Sequence, residues 1–443
     1  VPIRSNGPMA SSKSSKPTRT GGRKAGTKRP TPPHLVEPKL KYVTDRTYQA
    51  YHAAVSRGFQ EEDRPEIVEF DRGLLENGRT FGFTDGARWV STCCAFSRSI
   101  SVPGGADLPV AAVSVVTVSP PFRRRGLLTA MMKHQLEDVA RRGEPLAALW
   151  ATESLIYGRF GYAPAVSRAR LNGENQRLQF LPGVQPTGSV DEVDREQFLS
   201  VARALHEAGR ADRPGGLNRT DVWWDAYLFD FEFSRGGASE LRYVLHYSDS
   251  GDVDGFAYYR FKEDSDETGP IGEVRINEVR ADDPGAVAGL WRYLLDLDLA
   301  RTFRMRNAPV DEPLRHLVTD ARAVRTEITD SLYLRIVDLT AALRARRYLT
   351  EIDLVIEVAD ALLPANNGKF RLRAGTDHAE VTRSRSEPDL SLSILELGAV
   401  YLGGVRLTDL HRAGRVAEHT ADAVAAASAA FGWHREPFCP DPF

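Results

Sequence analysis

Cysteine is scarce in this chain, with only Cys93, Cys94 and Cys439 among 443 residues, and no apolar run is long enough to cross a bilayer. The first scarcity excludes a disulfide framework. Cys93 and Cys94 are also neighbours on a strand-like run and would face opposite sides of a sheet. A reducing, cytoplasmic setting fits this usage. The second absence argues against a membrane-spanning helix, and no membrane partner is expected. The ten histidines are scattered singly, and no Cys/His cluster has metal-ligand spacing, so no metal is expected.

A strong net charge is missing as well, but the total of −2 hides an asymmetry. Residues 1–41 hold ten Lys or Arg against Glu37 alone, which leaves 48 basic and 59 acidic side chains for the rest. Residues 1–38 are nearly devoid of apolar side chains and cannot offset the entropy lost on ordering, so they read as a disordered basic tail. Met9 is its expected native start, with Val1–Pro8 left over from expression. The tail reads as a solvated extension, with no nucleic-acid partner. The acidic body suits a polycationic substrate, drawn in by a long-range attraction that salt weakens.

At 443 residues, 42% hydrophobic and 27% charged, the chain is globular and long enough for two to three domains. Periodicity predicts an α/β (α+β) layout with a mixed sheet over residues 39–185. Its order is helix 48–59, strands 89–102 and 110–118, helix 127–141, strand 146–151 and a short helix 155–160. Residues 186–330 repeat the theme, with helices over 195–208 and 286–297 and strands over 241–247, 255–261 and 274–279. Residues 331–443 carry strands near 354–358, 370–373 and 390–395 and helices near 397–401 and 420–430.

One junction carries chemistry. The β-branched run Val113–Val118 breaks at Ser119-Pro120-Pro121-Phe122, passes through Arg123-Arg124-Arg125-Gly126 and opens into the helix at Leu127. The first-turn N–H groups of a helix lack intrahelical partners and carry the positive dipole end, so this turn is a cradle for a phosphate. Gly126 lets the backbone approach closely. The segment resembles the pyrophosphate loop of GNAT acetyltransferases, Arg/Gln-x-x-Gly-x-Gly/Ala, with Leu128 where that pattern has a small residue. This form, followed by Leu146-Ala147-Ala148-Leu149-Trp150-Ala151-Thr152-Glu153-Ser154-Leu155-Ile156-Tyr157-Gly158-Arg159-Phe160-Gly161-Tyr162, is similar to the two signatures of the Eis (enhanced intracellular survival) branch.

The resemblance implies tandem GNAT folds, the first functional and the second degenerate, followed by a sterol-carrier-like domain that ends in a catalytic C-terminus. The residues agree that the second copy lacks a cofactor site. Arg280-Ala281-Asp282-Asp283-Pro284-Gly285 stands where the loop belongs, and two carboxylates at a helix start repel a pyrophosphate.

The implied cosubstrate is acetyl-CoA. Its pyrophosphate would rest on Arg123, Arg124, Gly126 and Leu127, and its pantetheine amides would pair with the backbone of Val116 and Val118. Thr152 is suited to cap the following helix at the cofactor's edge. Tyr157 matches the general acid of the family, and the α-carboxylate of Phe443 its general base. The ending Phe438-Cys439-Pro440-Asp441-Pro442-Phe443, with two prolines and a terminal aromatic, reads as docked. Phe59, Glu61 and Glu62, with Trp224 and Asp441 from elsewhere in the chain, are the expected amine-binding set, since carboxylates and aromatic faces attract ammonium groups.

The activity implied is N-acetylation of aminoglycoside-like polyamines at several positions, by a homo-hexamer. Acetylation of lysines in peptides or proteins, and a non-catalytic CoA-binding scaffold, are the alternatives.

Overall fold

The structure, a computed structural model, describes residues 37–443. The basic tail expected to be disordered lies outside them up to residue 36.

Two helices open the first domain. Helix α1 (Asp45–Phe59) starts at a Thr44–Thr47 capping box and stops where Gln60 turns left-handed. Its buried face carries Tyr48, Tyr51, His52 and Val55. Helix α2 (Pro65–Leu74) begins with proline, whose missing N–H costs nothing at a first helical position. Buried His52 ties the pair together: its Nδ1 meets Asp63 at 2.6 Å and its Nε2 meets Asp71 at 3.0 Å.

The first sheet has the strand order Lys39–Tyr42, Thr80–Asp85, β1 (Ser91–Ser101), β2 (Asp107–Val118), β3 (Leu146–Trp150), Leu332–Ile336 and Ala163–Pro164, with Arg88–Trp89 paired to Thr80–Asp85. β1 and β2 are antiparallel, whereas β2 reaches the parallel β3 through helix α3 (Leu127–Arg141). Strand alternation sorts the side chains. Cys93, Ala111 and Val113 pack with Met131, Met132 and Leu136 of α3, while Cys94, Val110 and Ala112 join the opposite core. The neighbouring cysteines thus lie on opposite faces, and all three cysteines are buried and free.

The second sheet repeats this plan. Its strand–helix–strand unit is β4 (Gly272–Ala281), α4 (Pro284–Leu295) and β5 (Ala300–Ala308), with β4 and β5 parallel. The sheet does not begin at residue 186, nor does the first one end before 331. One antiparallel ribbon, residues 163–174 against 325–336, serves both sheets. Ser167–Glu174 and Arg325–Asp330 lie in the second sheet, and Ala163–Pro164 and Leu332–Ile336 in the first. A ribbon that passes from one sheet to the other leaves no break in the local sequence pattern.

The third unit is a five-stranded sheet in the order Ala379–Arg383, Gly368–Ala374, Ile352–Ala359, Leu390–Ser393 and Ala417–Glu418, with helices that include Ile394–Val400 and Ala423–Phe431. A buried Arg335–Asp360 pair at 2.7 Å fastens it to the first sheet. On its surface Glu351, Asp377 and His378 bring ligand-type atoms within 4.8 Å of one another, and His378 is already hydrogen-bonded to Asp377 at 2.8 Å.

Burial pulls the His52 pKa down, but hydrogen bonds to Asp71 and Asp63 more than offset this and leave it raised. A raised folded pKa stabilises the protein fully below the unfolded value of about 6.5, and that stabilisation is lost as pH rises through the folded value. His52→Gln should therefore lower the melting temperature by about 3–6 °C at pH 6. The penalty should shrink toward pH 9; a penalty independent of pH would show that packing, not charge, fixes this corner.

Candidate active site

Two parallel strands that should run side by side come apart. β2 pairs with β3 only over Val110–Ala112 against Leu146–Ala148, and Val113–Val118 continue without a strand on that side. The cause is a bulge in β2. Thr92 faces Thr117 and Cys94 faces Ser114, so Cys93 alone opposes both Val115 and Val116. Val115 takes φ +49, an unusual conformation for a β-branched residue that costs on the order of 1–3 kcal/mol. Thr92 holds it: its Oγ1 donates to Val115 O at 2.6 Å and lies 2.6 Å from Thr117 Oγ1. A bulge bends its strand and sharpens the twist, which steers β2 away from β3 and opens a wedge.

Alternation then decides which backbone groups face that wedge. The Ser119 amide donates to Val90 O, on the β1 side. The N–H and C=O groups of Val118 and Val116 consequently turn the other way. Val118 O accepts from Arg123 Nε at 3.1 Å, which draws the arginine loop against the mouth of the wedge.

The loop itself is a run of free amides. Pro120–Phe122 make one tight turn, and Phe122 is buried against Val90 and Leu127. The guanidinium groups of Arg88 and Arg125 lie over its ring at 5.3 and 5.1 Å. Arg124 and Gly126 both take positive φ, +62 and +81, which folds the backbone into a concave nest. The first α3 bond runs from Ala130 N to Gly126 O, and no backbone carbonyl among the described residues accepts from the amides of Arg124 to Thr129. No acidic residue stands in the first turn of α3, and Arg123, Arg124 and Arg125 are exposed. The residues therefore fit a diphosphate.

The second fold diverges in the same manner, since β4 and β5 pair only from Gly272 to Ile276. A cavity of about 520 Å³ remains there, lined by Glu278, Arg280, Asp282 and Pro284 among others. Its helix start, however, is already occupied. The Asp283 carboxylate accepts from Gly285 N at 2.8 Å and from Ala286 N at 3.0 Å, which places a fixed negative charge where a phosphate would sit.

Tyr157 ends a single helical turn, Ser154–Tyr157, with its ring buried beside Tyr162 at 6.3 Å between centroids. Its hydroxyl has no hydrogen-bond partner among the described residues. Burial raises its pKa well above that of an ordinary phenol, so it holds its proton at neutral pH. Thr152 is exposed and does not cap this turn: the capping position falls on Glu153, which makes no side-chain cap bond.

The chain end contacts the second domain and then the first. Glu436 O accepts from Arg213 Nη1, Phe438 N donates to Pro214 O, and Asn307 Nδ2 lies 3.2 Å from both Cys439 O and Pro440 O. The Trp150 indole, at the end of β3, donates to Asp441 O at 3.2 Å. The Phe443 ring is buried. Two residues of chain separate its carboxylate from Asp441, a reach of about 7 Å.

The expected amine-binding set divides. Phe59, Glu61 and Glu62 lie at the α1–α2 corner, and α1's last turn rests on β2 so tightly that a Cβ at Gly58 would fall 2.5 Å from Thr117 Cγ2. Phe59 is partly buried there, and exposed Glu62 is paired with Arg64 at 2.6 Å. Trp224 and Asp441 are both buried and both contact Arg219. Trp224 is 1% exposed, packed on Phe198 and His206 with the Arg219 guanidinium over its ring, and Asp441 is fully buried in an ion pair with that same Arg219. Sequence reading missed Thr92, Val115, Trp150 and Arg219 as parts of the site. A bulge leaves no periodic signal in a uniformly β-branched run, and a partner more than two hundred positions away leaves none at all.

Residues 39–165 match the acetyltransferase (GNAT) domain family, residues 215–336 match a second acetyltransferase (GNAT) domain family, and residues 339–440 match the sterol carrier protein domain family. An uncharacterised N-acetyltransferase of Streptomyces coelicolor is 39% identical over 417 residues, covering 92% of this chain and all of the relative. The N-acetyltransferase Eis of Mycobacterium tuberculosis is 36% identical over 340 residues, covering 76% of this chain and 81% of that one. The crystal structure of Eis1 from Mycobacterium abscessus superposes with a TM-score of 0.78 at 33% identity, covering 92% of this chain and all of that one.

The two helix starts should respond differently to mutation. Gly126→Ala, forced into a left-handed conformation, should cost about 1–2 kcal/mol of stability and weaken coenzyme A binding measured by calorimetry. Asp283→Ala should cost about 1 kcal/mol through the lost cap and leave coenzyme A stoichiometry at one per chain. A second binding event in that variant would overturn the account of the second fold.

Proposed function

The chain belongs to the Eis family of GNAT N-acetyltransferases, and from that premise we propose that it acetylates amines of aminoglycoside-like polyamines, at more than one position, using acetyl-CoA. The observation that carries the reading is the wedge between β2 and β3, with a nest of amides and arginines at its mouth and, at the end of β3, the Trp150 indole bonded to Asp441 O, two residues before Phe443. Homo-hexameric assembly and a cytoplasmic location belong to the same proposal. No helix among the described residues is long and apolar enough to cross a membrane.

Acetyl-CoA supplies an activated thioester, and the rest of the chemistry falls to the chain. The amides of Arg124 to Leu128 and the side chains of Arg123 and Arg124 hold the diphosphate through charge-assisted bonds. The backbone of Val116 and Val118 satisfies the amides of the pantetheine arm as a missing strand would. Arg123 serves the fold and the ligand together, because its Nε already binds Val118 O while its terminal nitrogens remain available. Thr152, exposed just beyond β3, stands at the far edge of the wedge.

Amine attack needs a neutral nitrogen and a protonated leaving thiolate. The Phe443 carboxylate takes the proton from the incoming ammonium, either directly or through water. Two carboxylates at the α1–α2 corner, Glu61 and Glu62, with the ring of Phe59, attract the substrate's other ammonium groups. Tyr157 returns a proton to the thiolate. Burial keeps Tyr157 protonated at neutral pH, so its proton is present to donate, while the same shift makes it a weaker acid than an ordinary phenol.

A screen of amines against acetyl-CoA tests the substrate class. Thiol release should appear with kanamycin-like polyamines and exceed that with a lysine peptide; the reverse order would establish the protein-lysine reading. Tyr157→Phe should lower kcat by about 10²-fold or more while changing acetyl-CoA affinity little, and selective loss of affinity would mark Tyr157 as a packing residue. Extending the chain by one glycine beyond Phe443 moves the carboxylate and should cut kcat by on the order of 10²–10⁴-fold.

A further inference from the structure

Arg219 sits on the segment between the helices Arg195–Asp212 and Asp221–Tyr227 of the second domain, far from the arginine loop in sequence and not used by the chemistry above. Its Nε lies 2.8 Å from Asp441 Oδ1, and its Nη2 lies 2.7 Å from the same oxygen and 2.8 Å from Glu278 Oε2. Tyr258 donates to that Glu278 oxygen at 3.2 Å. The guanidinium is stacked over Trp224 at 4.6 Å and Tyr227 at 5.0 Å. All three charged side chains are at least 95% buried.

Charges buried this deeply contribute little net stability compared with apolar groups of the same size, because desolvation offsets most of their attraction. What such a cluster does supply is geometry. The planar fork of arginine fixes both distance and angle to its acceptor, and the aromatic faces fix the plane of the fork.

The frame that carries Arg219 is itself tied to the first sheet. Ser101 N donates to Gly216 O at 3.0 Å and Asn218 N to Ser99 O at 3.1 Å, so residues 216–218 run beside the end of β1. Arg98, on β1, binds Asn218 O and reaches Tyr227 Oη at 3.2 Å. Asp441 is thereby held by its side chain from a segment referenced to β1 and by its carbonyl from Trp150 on β3. β1 carries the bulge partner and β3 is one wall of the wedge.

We infer that Arg219, through Asp441, is a positioning residue that sets where the Phe443 carboxylate stands in the wedge, so that the second GNAT fold serves as a clamp for the catalytic terminus of the first. The inference rests on the reading of that carboxylate as the base. Only Pro442 and Phe443 lie beyond the clamp, and proline restricts its own φ, so an error in the Asp441 position passes almost undiminished to the carboxylate. A displacement of about 1 Å at a reacting group is enough to cost about 10²-fold in rate.

The test is a double-mutant cycle between the clamp and the terminus. Asp441→Asn keeps the shape and removes the charge, and the triple variant Arg219→Met, Glu278→Gln and Asp441→Leu removes all three charges at once and so preserves folding if the single variant does not. Each is made with and without a one-glycine extension after Phe443, and kcat, KM for acetyl-CoA and melting temperature are measured.

The expected result is a fall in kcat of about 10–100-fold with KM for acetyl-CoA unchanged. That fall should vanish in the extended background, where the carboxylate is already displaced. Equal losses in both backgrounds, or an altered KM for acetyl-CoA, make the cluster a structural strap and overturn the inference alone. So does an unchanged kcat in the clamp variants when the extension by itself lowers kcat. An extension that leaves kcat unchanged overturns the base reading, and this inference with it.

Discussion

The departure of β2 from β3 at Val115 is the constraint on which the site depends. A parallel pair that stayed in register to its end would satisfy its own backbone and leave nothing for a ligand. Here a β-branched residue is held at φ +49 by the hydroxyl of Thr92, and six residues of β2 lose their neighbour on one side. The strain is local and the surrounding packing supports it. Cys93, which opposes the bulge, is fully buried, and the α1 turn at Gly58 presses on Thr117 from the helix side. The same bend that exposes Val116 and Val118 also carries the chain into the arginine loop, so the strand-like surface and the anion cradle arise from one distortion.

The second constraint is topological. One ribbon, residues 163–174 with 325–336, belongs to both sheets, and a second link, residues 213–220, runs beside β1. The two GNAT folds are thus built into each other instead of being strung on a linker. The third domain adds its own fastening through Arg335 and Asp360, and its last residues return across the second fold to the first. Chain ends are ordinarily the most mobile part of a protein. Contacts with the second and first domains remove that mobility.

Comparison of the two folds shows how one architecture gains or loses a ligand. Both open a wedge between parallel strands, and both follow it with a helix. In the first, the helix start is left with free amides and surrounded by arginines; in the second, Asp283 satisfies the amides with its own carboxylate. The difference is one side chain's choice of partner, while the sheets remain alike. The second fold contributes Arg219 and Asn307 to the contacts of the chain end.

Local chemistry was legible directly from the residues. The Arg123–Gly126 turn before an apolar helix, the carboxylates at the start of the second domain's helix, the alternation that separates Cys93 from Cys94 and the docked, aromatic chain end all follow from nearest neighbours and strand or helix period, and the structure shows each of these features. The two family signatures, read as resemblance, were enough to indicate the tandem architecture. Trp224 and Asp441 are buried against Arg219, a partnership that an aromatic and a carboxylate do not reveal in sequence. The ribbon shared by the two sheets leaves no mark in composition. What the sequence determined by itself was which segments carry the arginine, tyrosine and carboxylate groups. What only the tertiary structure decided was where those groups meet: the bulge at Val115, the indole of Trp150 on Asp441 and the Arg219 clamp each join residues that are distant along the chain or lack any local pattern, and their energies exist only once the sheets have packed.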